Sequence, residues 1–191
     1  MCGIVSFSGV EPFDKDKIRV LMYINAVERG KDSTGIYSTI NGLKKSLDAG
    51  WDFVTNDKID IQPDNMLLGH VRASTVGQTT IANAHPFERG NCVLVHNGTL
   101  KNHWDILRKY KLDFSKYWVD SDVLCGAIDA SDSAMPITEI DGPAAIVFHD
   151  KRLPDKIFVF RNKERPLFRG HIGANMYISS IEHTLKLIGC I

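Results

Sequence analysis

A chain of 191 residues, 43% hydrophobic and 24% charged, has the size and make-up of one globular domain with a substantial core. Lys+Arg and Asp+Glu each number 23, so the formal net charge is zero, and the electrostatic grip on nucleic acid or an anionic membrane that a basic excess supplies is not expected. No charged leader or membrane-length apolar run stands in the chain, and Cys2, Cys92, Cys125 and Cys190 form no CxxC pair, so the expectation is a single domain over residues 1–191, cytoplasmic, with reduced thiols.

In chain order, residues 3–7 read as a short buried strand. Pro12 and Asp14 mark a turn and a helix start, Ile18, Leu21, Met22, Asn25 and Ala26 fall on helical spacing, and Gly30 closes the segment. Residues 28–35 read as a charged loop, 36–40 as a strand, and Asn41-Gly42 as a hairpin turn. The polar stretch 48–65 carries Trp51, Phe53 and Ile59 too far apart to assign. Residues 66–72 form an apolar strand ending in Arg72, followed by a small-residue loop and then Asn83-Ala84-His85-Pro86, where Pro86 biases His85 to an extended backbone. A buried strand over 92–96 stops at Asn97-Gly98, and Asn102 is placed to cap a helix carrying Ile106, Leu107 and Tyr110. A second helix starts at Asp120-Ser121-Asp122, and the last third alternates strands (144–148, 157–160, 167–168, 175–180) with turns before an apolar tail. Many strands with a few helices and no repeat or linker indicate an α+β domain.

The opening Met1-Cys2-Gly3-Ile4-Val5 carries the first chemical signal. If Met1 is removed, Cys2 presents a thiol nucleophile and an α-amine whose reference pKa of about 7.7–8.0 suits a base near neutral pH. A thiol attacking an amide also needs oxyanion donors and a way to hold its substrate. Asn97-Gly98, directly after a buried strand, offers a side-chain N–H and an approachable backbone N–H. Arg72 suits a carboxylate and Asp122 an ammonium, and together these describe a free α-amino acid. Taken singly, each also fits an ordinary role: a surface ion pair, a hairpin turn, a helix-start charge.

Their order along the chain resembles the class II glutamine amidotransferase domain, an N-terminal-nucleophile hydrolase. The likeness spans nearly the whole chain. It rests on Cys2-Gly3-Ile4-Val5, Arg29-Gly30-Lys31-Asp32-Ser33-Thr34-Gly35, Gly69-His70-Val71-Arg72-Ala73-Ser74-Thr75, Asn83-Ala84-His85-Pro86-Phe87, His96-Asn97-Gly98 and Ser121-Asp122. The resemblance implies a four-layer αββα sandwich of two antiparallel sheets, with Cys2 as nucleophile and its own amine as base. It implies Asn97 and Gly98 as the oxyanion hole, Arg72 on the glutamine α-carboxylate with Thr75 assisting, and Asp122 on the α-ammonium. Arg29 would brace the site near Cys2, and His85 would line the pocket. The expected reaction is hydrolysis of the side-chain amide of L-glutamine to glutamate and ammonia through a Cys2 thioester. Neither cofactor nor metal is expected.

Two positions depart from the family pattern. Ala73 stands where tryptophan is frequent, and Val76 where a histidine often occurs, and both changes remove contact surface beside the amino-acid pocket. Ending at Ile191, the chain is expected to lack the usual acceptor domain, so ammonia would pass to a separate synthase or acceptor protein, or the protein is a plain glutaminase. Competing readings are a non-catalytic amino-acid-binding or subunit-interaction module that keeps Met1, and a hydrolase of another γ-glutamyl or amide compound. A metal site on His70, His85, His96 and Cys92 is disfavoured by the absence of a tight ligand motif.

Overall fold

The computed structural model describes residues 1–55, 61–73, 79–162 and 164–191. In chain order the first half holds β1 (Gly3–Ser8), α1 (Lys15–Arg29), β2 (Ser33–Ser38), β3 (Gly42–Ser46), α2 (Gly50–Thr55), β4 (Met66–Arg72), β5 (Phe87–Arg89) and β6 (Cys92–Gly98). Then come α3 (His103–Lys109), α4 (Asp120–Ser131), α5 (Met135–Thr138), β7 (Ala144–Asp150), β8 (Ile157–Arg161), β9 (Phe168–Ile172), β10 (Asn175–Ser179) and α6 (Glu182–Leu187). Within the span read as one domain, the chain divides into two compact units, residues 1–86 with 166–191 and residues 87–165. Each contains one antiparallel sheet.

In the first unit the sheet runs β3-β2-β4-β1-β10-β9, so the chain's opening strand lies centrally, between β4 and β10. Residues 3–7 of β1 are all buried, and a strand covered on both faces reads as a continuous apolar run. The carboxylate of Asp14 accepts the N–H groups of Asp16 and Lys17 and so starts α1. Val5 and Phe7 join Ile18, Leu21 and Met22 of α1 and Leu67 and Val71 of β4 in one core, each large side chain contributing about 1.5–3 kcal/mol on burial. Phe7 meets Phe13 and Tyr177 edge-on, with ring centroids 5.7 and 4.9 Å apart.

Two readings are corrected here. The loop expected over 28–35 gives way to β2 at Ser33, because Ser33, Thr34 and Gly35 pair with Arg72, Val71 and His70 of β4. The unassigned stretch contains α2, which places Phe53 in the core.

The second unit's sheet is β5-β6-β7-β8. Leu124, Cys125 and Ile128 of α4 pack on Leu94, Ile146 and Phe148, and α3 meets α4 through Ile106, Leu107, Val123 and Ala127. β6 extends past the expected stop, since Asn97 and Gly98 pair with Ala145 and Ala144. Asn102 precedes α3 without capping it by side chain. Its amide instead donates to Glu139 O at 2.8 Å and accepts from Asp141 N at 2.9 Å. No helix among the described residues is long and apolar enough to cross a membrane.

Candidate active site

Antiparallel pairing of β1 with β4 sets Gly3 against Val71, which brings the residues one step further out, Cys2 and Arg72, to the same end of the sheet. The Cys2 thiol is half-buried and lies 3.7 Å from Ala73 O. Burial pushes it above the usual cysteine range, against the opposing pull of the Ala73 backbone, the amino terminus and Arg72. Arg29, on the last turn of α1, donates through Nη1 to Cys2 O at 3.4 Å and through Nη2 to Ser180 O at 2.9 Å. The Ser180 hydroxyl accepts Ile4 N–H at 2.9 Å, and Ser180 N–H returns to Ile4 O at 3.0 Å. The backbone that carries Cys2 is therefore gripped from α1 and from the segment after β10.

Among the described residues the buried Nη1 of Arg72 has no hydrogen-bond partner, and a buried donor left unpaired costs about 1–3 kcal/mol. Its carbonyl accepts Asp32 N–H at 2.9 Å. Gly30, read from sequence as a helix stop, has an extended backbone (φ 177°) and is needed for a different reason. A side chain there would collide with the backbone of Arg72 and Ala73. His85 is buried with its ring against that of His70, centroids 4.2 Å apart, and the His85-Pro86 peptide is cis. Thr75 and Val76 lie outside the described residues.

In the second unit Asn97 is buried and Gly98, exposed, has φ +153°. A Cβ at Gly98 would strike the Pro143 carbonyl, which already accepts Thr99 N–H at 3.0 Å, and would crowd His96 Nε2. Glycine is thus required by both conformation and space. The start of α4 resolves its two acidic residues. Asp122 is only 4% exposed, and Arg89 donates to it twice, Nε to Oδ1 and Nη2 to Oδ2, each at 2.7 Å. Arg89 in turn lies over the Tyr117 ring at 4.7 Å. Asp120 is half-buried, and its Oδ2 accepts Leu100 N–H at 2.7 Å, two residues beyond the Asn97-Gly98 pair. The sequence expectation places the ammonium at Asp122, and the structure gives the two acidic residues different partners. The signal that separates them is Arg89, a cation at the end of a three-residue strand too short to read in advance.

Among the described residues no group of three or more His, Cys, Asp or Glu could hold a metal ion. No disulfide joins any of the four cysteines, and Cys125 donates to Cys92 O at 3.3 Å inside the core.

The family described as the glutamine amidotransferase domain matches residues 56–188. The chain belongs to this family. Glutamine–fructose-6-phosphate aminotransferase (isomerizing) of Streptococcus mutans is 33% identical over 199 residues, covering 94% of this chain and 32% of the relative. The protein of the same name in Sulfurisphaera tokodaii is 36% identical over 115 residues, 56% of this chain and 19% of its own. The amidotransferase chain thus spans about a third of the length of the Streptococcus relatives it matches, and less of the Sulfurisphaera one. Glutamine phosphoribosylpyrophosphate amidotransferase of B. subtilis superposes with a TM-score of 0.78 at 20% identity, over 99% of this chain and 44% of that one. A structure described as the allosteric regulatory enzyme of purine biosynthesis gives 0.79 at 21%, with the same coverage. At these identities the likeness shows the fold, which is the expected α+β class of two antiparallel sheets with helices.

Proposed function

We propose that this amidotransferase chain, once Met1 is removed, hydrolyses the side-chain amide of L-glutamine through a Cys2 thioester. The observation that supports the reading is the end of the β1–β4 pair, where the Cys2 backbone, braced by Arg29, shares a sheet end with Arg72, whose buried Nη1 has no hydrogen-bond partner among the described residues. Family membership supplies the reaction class.

In this reading the α-amine of Cys2 takes the thiol proton as sulfur attacks the amide carbon. Asn97 and Gly98 donate to the oxyanion, Arg72 with Thr75 binds the α-carboxylate, and His85 lines the pocket. The α-ammonium is received at the start of α4. Asp120, whose oxygens accept from the neutral donors Leu100 N–H, Ser121 N–H and the Ser121 hydroxyl, is better suited there than Asp122, whose charge is already met by the Arg89 guanidinium. The amine returns its proton to the departing ammonia. Water, deprotonated by the same amine, then attacks the thioester, and glutamate leaves as the thiol is restored. Ammonia passes to an acceptor on a separate protein, and the chain acts in the cytoplasm, where its free thiols stay reduced.

Purified chain whose intact mass lacks Met1 should release glutamate and ammonia from glutamine in equal amounts, and Cys2→Ala should abolish both. Release by Cys2→Ala at the parent rate contradicts the mechanism. Glutamine binding without turnover by the processed chain favours a binding module instead.

A further inference from the structure

His96 is an odd residue to find where it is. It sits in the run Cys92–Gly98, otherwise apolar up to Val95, is 2% exposed, and an imidazole buried without partners costs more than the valine or isoleucine such a strand would accept. Its Nδ1 lies 2.8 Å from the hydroxyl of Ser121, itself buried. That hydroxyl is also 3.3 Å from Asp120 Oδ1, and Ser121 N–H donates to the same oxygen at 2.8 Å. A hydroxyl has one proton to give, so Ser121 chooses between the imidazole and the carboxylate. On its other edge, His96 Nε2 packs against the space below Gly98 that a side chain would fill, next to the Pro143 carbonyl. Among the described residues that nitrogen has no hydrogen-bond partner, so the place of the ring proton is set on the opposite edge: when Ser121 gives its proton to Nδ1, the ring carries its own on Nε2. Burial keeps the ring neutral by pushing its pKa below the usual histidine range, against the pull of Asp120 and the Pro143 carbonyl.

We propose that Ser121 and His96 are positioning residues that tie the carboxylate of Asp120 to the Asn97-Gly98 segment, so that capture of the substrate's ammonium and placement of the oxyanion donors are coupled. The inference rests on the roles given above to Asp120, Asn97 and Gly98. Asp120 reaches that segment by two routes of different length: directly through Leu100 N–H, and through Ser121 and His96 to the underside of Gly98. An ammonium arriving at Asp120 draws charge out of the carboxylate, weakens its claim on the Ser121 proton, and leaves that proton to His96. The ring is then fixed in the tautomer that props Gly98. Neither residue touches the reacting atoms.

The test is a double-mutant cycle on the processed chain, using Ser121→Ala, Asp120→Asn and the pair, with kcat and KM for glutamine measured separately. Thermal melting and the rate of Cys2 alkylation by iodoacetamide, which needs no oxyanion hole, report on the fold and the thiol. Deleting an oxyanion donor costs about 10²–10³ in kcat, so a donor merely loosened by Ser121→Ala should cost about 10-fold, with KM and alkylation little changed. Asp120→Asn should raise KM and lower kcat, and on that background Ser121→Ala should add almost nothing to the kcat loss. Should Ser121→Ala fail to fold, His96→Asn, which keeps a polar group near the Nδ1 position, replaces it in the cycle with the same expectation. Effects on kcat that multiply, or a kcat untouched by Ser121→Ala, overturn the coupling while the glutaminase reading stands. A processed parent chain without glutaminase activity removes that reading and the coupling with it.

Discussion

The two strand ends to which the chemistry is assigned by proposal are built by different means. At the start of β1, Cys2 is held by partners far away in sequence: Arg29 at a separation of 27, and through it Ser180, which lies 151 residues from the arginine. At the end of β6, Asn97-Gly98 is shaped chiefly by exclusion: the Pro143 carbonyl leaves no room for a side chain at Gly98, while Leu100 N–H is tied to Asp120 and His96 meets Ser121. An end gripped by long-range hydrogen bonds fails when a side chain is taken away. An end fixed by close packing fails when an atom is added.

The largest effect should come from adding that atom. Gly98→Ala forces a Cβ against a backbone carbonyl at φ +153°, so the oxyanion donor is displaced and kcat should fall about 10²–10³-fold, while iodoacetamide still reaches Cys2. Arg29→Ala tests the other end. It removes donors to Cys2 O and Ser180 O, and steady-state kinetics should show a loss of about 10-fold or more in kcat with about 1.5–3 kcal/mol of stability, the weight of hydrogen bonds from a charged donor. If instead Gly98→Ala is mild and Arg29→Ala also leaves kcat unchanged, the contrast between the two ends is wrong.

A smaller and more selective effect separates the two acidic residues of α4. Asp122→Ala breaks the paired bonds to Arg89, so denaturant unfolding should register a loss of about 1.5–3 kcal/mol, with KM for glutamine little altered. A sharp rise in KM would return the ammonium to Asp122.

The smallest concerns the hairpin of the first unit. Asp64 accepts from Thr39 Oγ1 at 2.7 Å and Ile40 N at 2.8 Å through one oxygen and from Asn65 N at 2.6 Å through the other. Burial alone would raise its pKa, but these hydrogen bonds outweigh it and hold the carboxyl below the usual aspartate range. A depressed folded pKa means the stabilisation is complete above the unfolded value and is lost as pH falls through the folded one. Asp64→Asn should therefore cost about 1 kcal/mol at neutral pH and flatten the acid limb of a stability–pH curve.

The same contrast explains what could be read in advance. The helix start at Asp14, the hairpin at Asn41-Gly42 and the strand leading to Asn97-Gly98 depend on local chemistry, and all are present. Features fixed by distant partners were not legible. Ser33 and Thr34 read as loop because they are polar, yet each is 1% exposed and paired to β4. The six residues of α2 carry too little periodic pattern to declare a helix that Phe53 secures by packing into the core. Asp120 and Asp122 look equivalent on one turn until Arg89, 33 residues from Asp122, claims one of them.

The central claim is that the sulfur of Cys2, on a newly exposed amino terminus, is the nucleophile toward a glutamine-shaped electrophile. Incubating the purified chain with 6-diazo-5-oxo-L-norleucine and mapping the adduct by mass spectrometry tests it most directly. The account predicts one adduct, on the first residue of a chain lacking Met1, with glutamine slowing its formation. Label on Cys92, Cys125 or Cys190 instead, or a processed chain that takes no label, contradicts it.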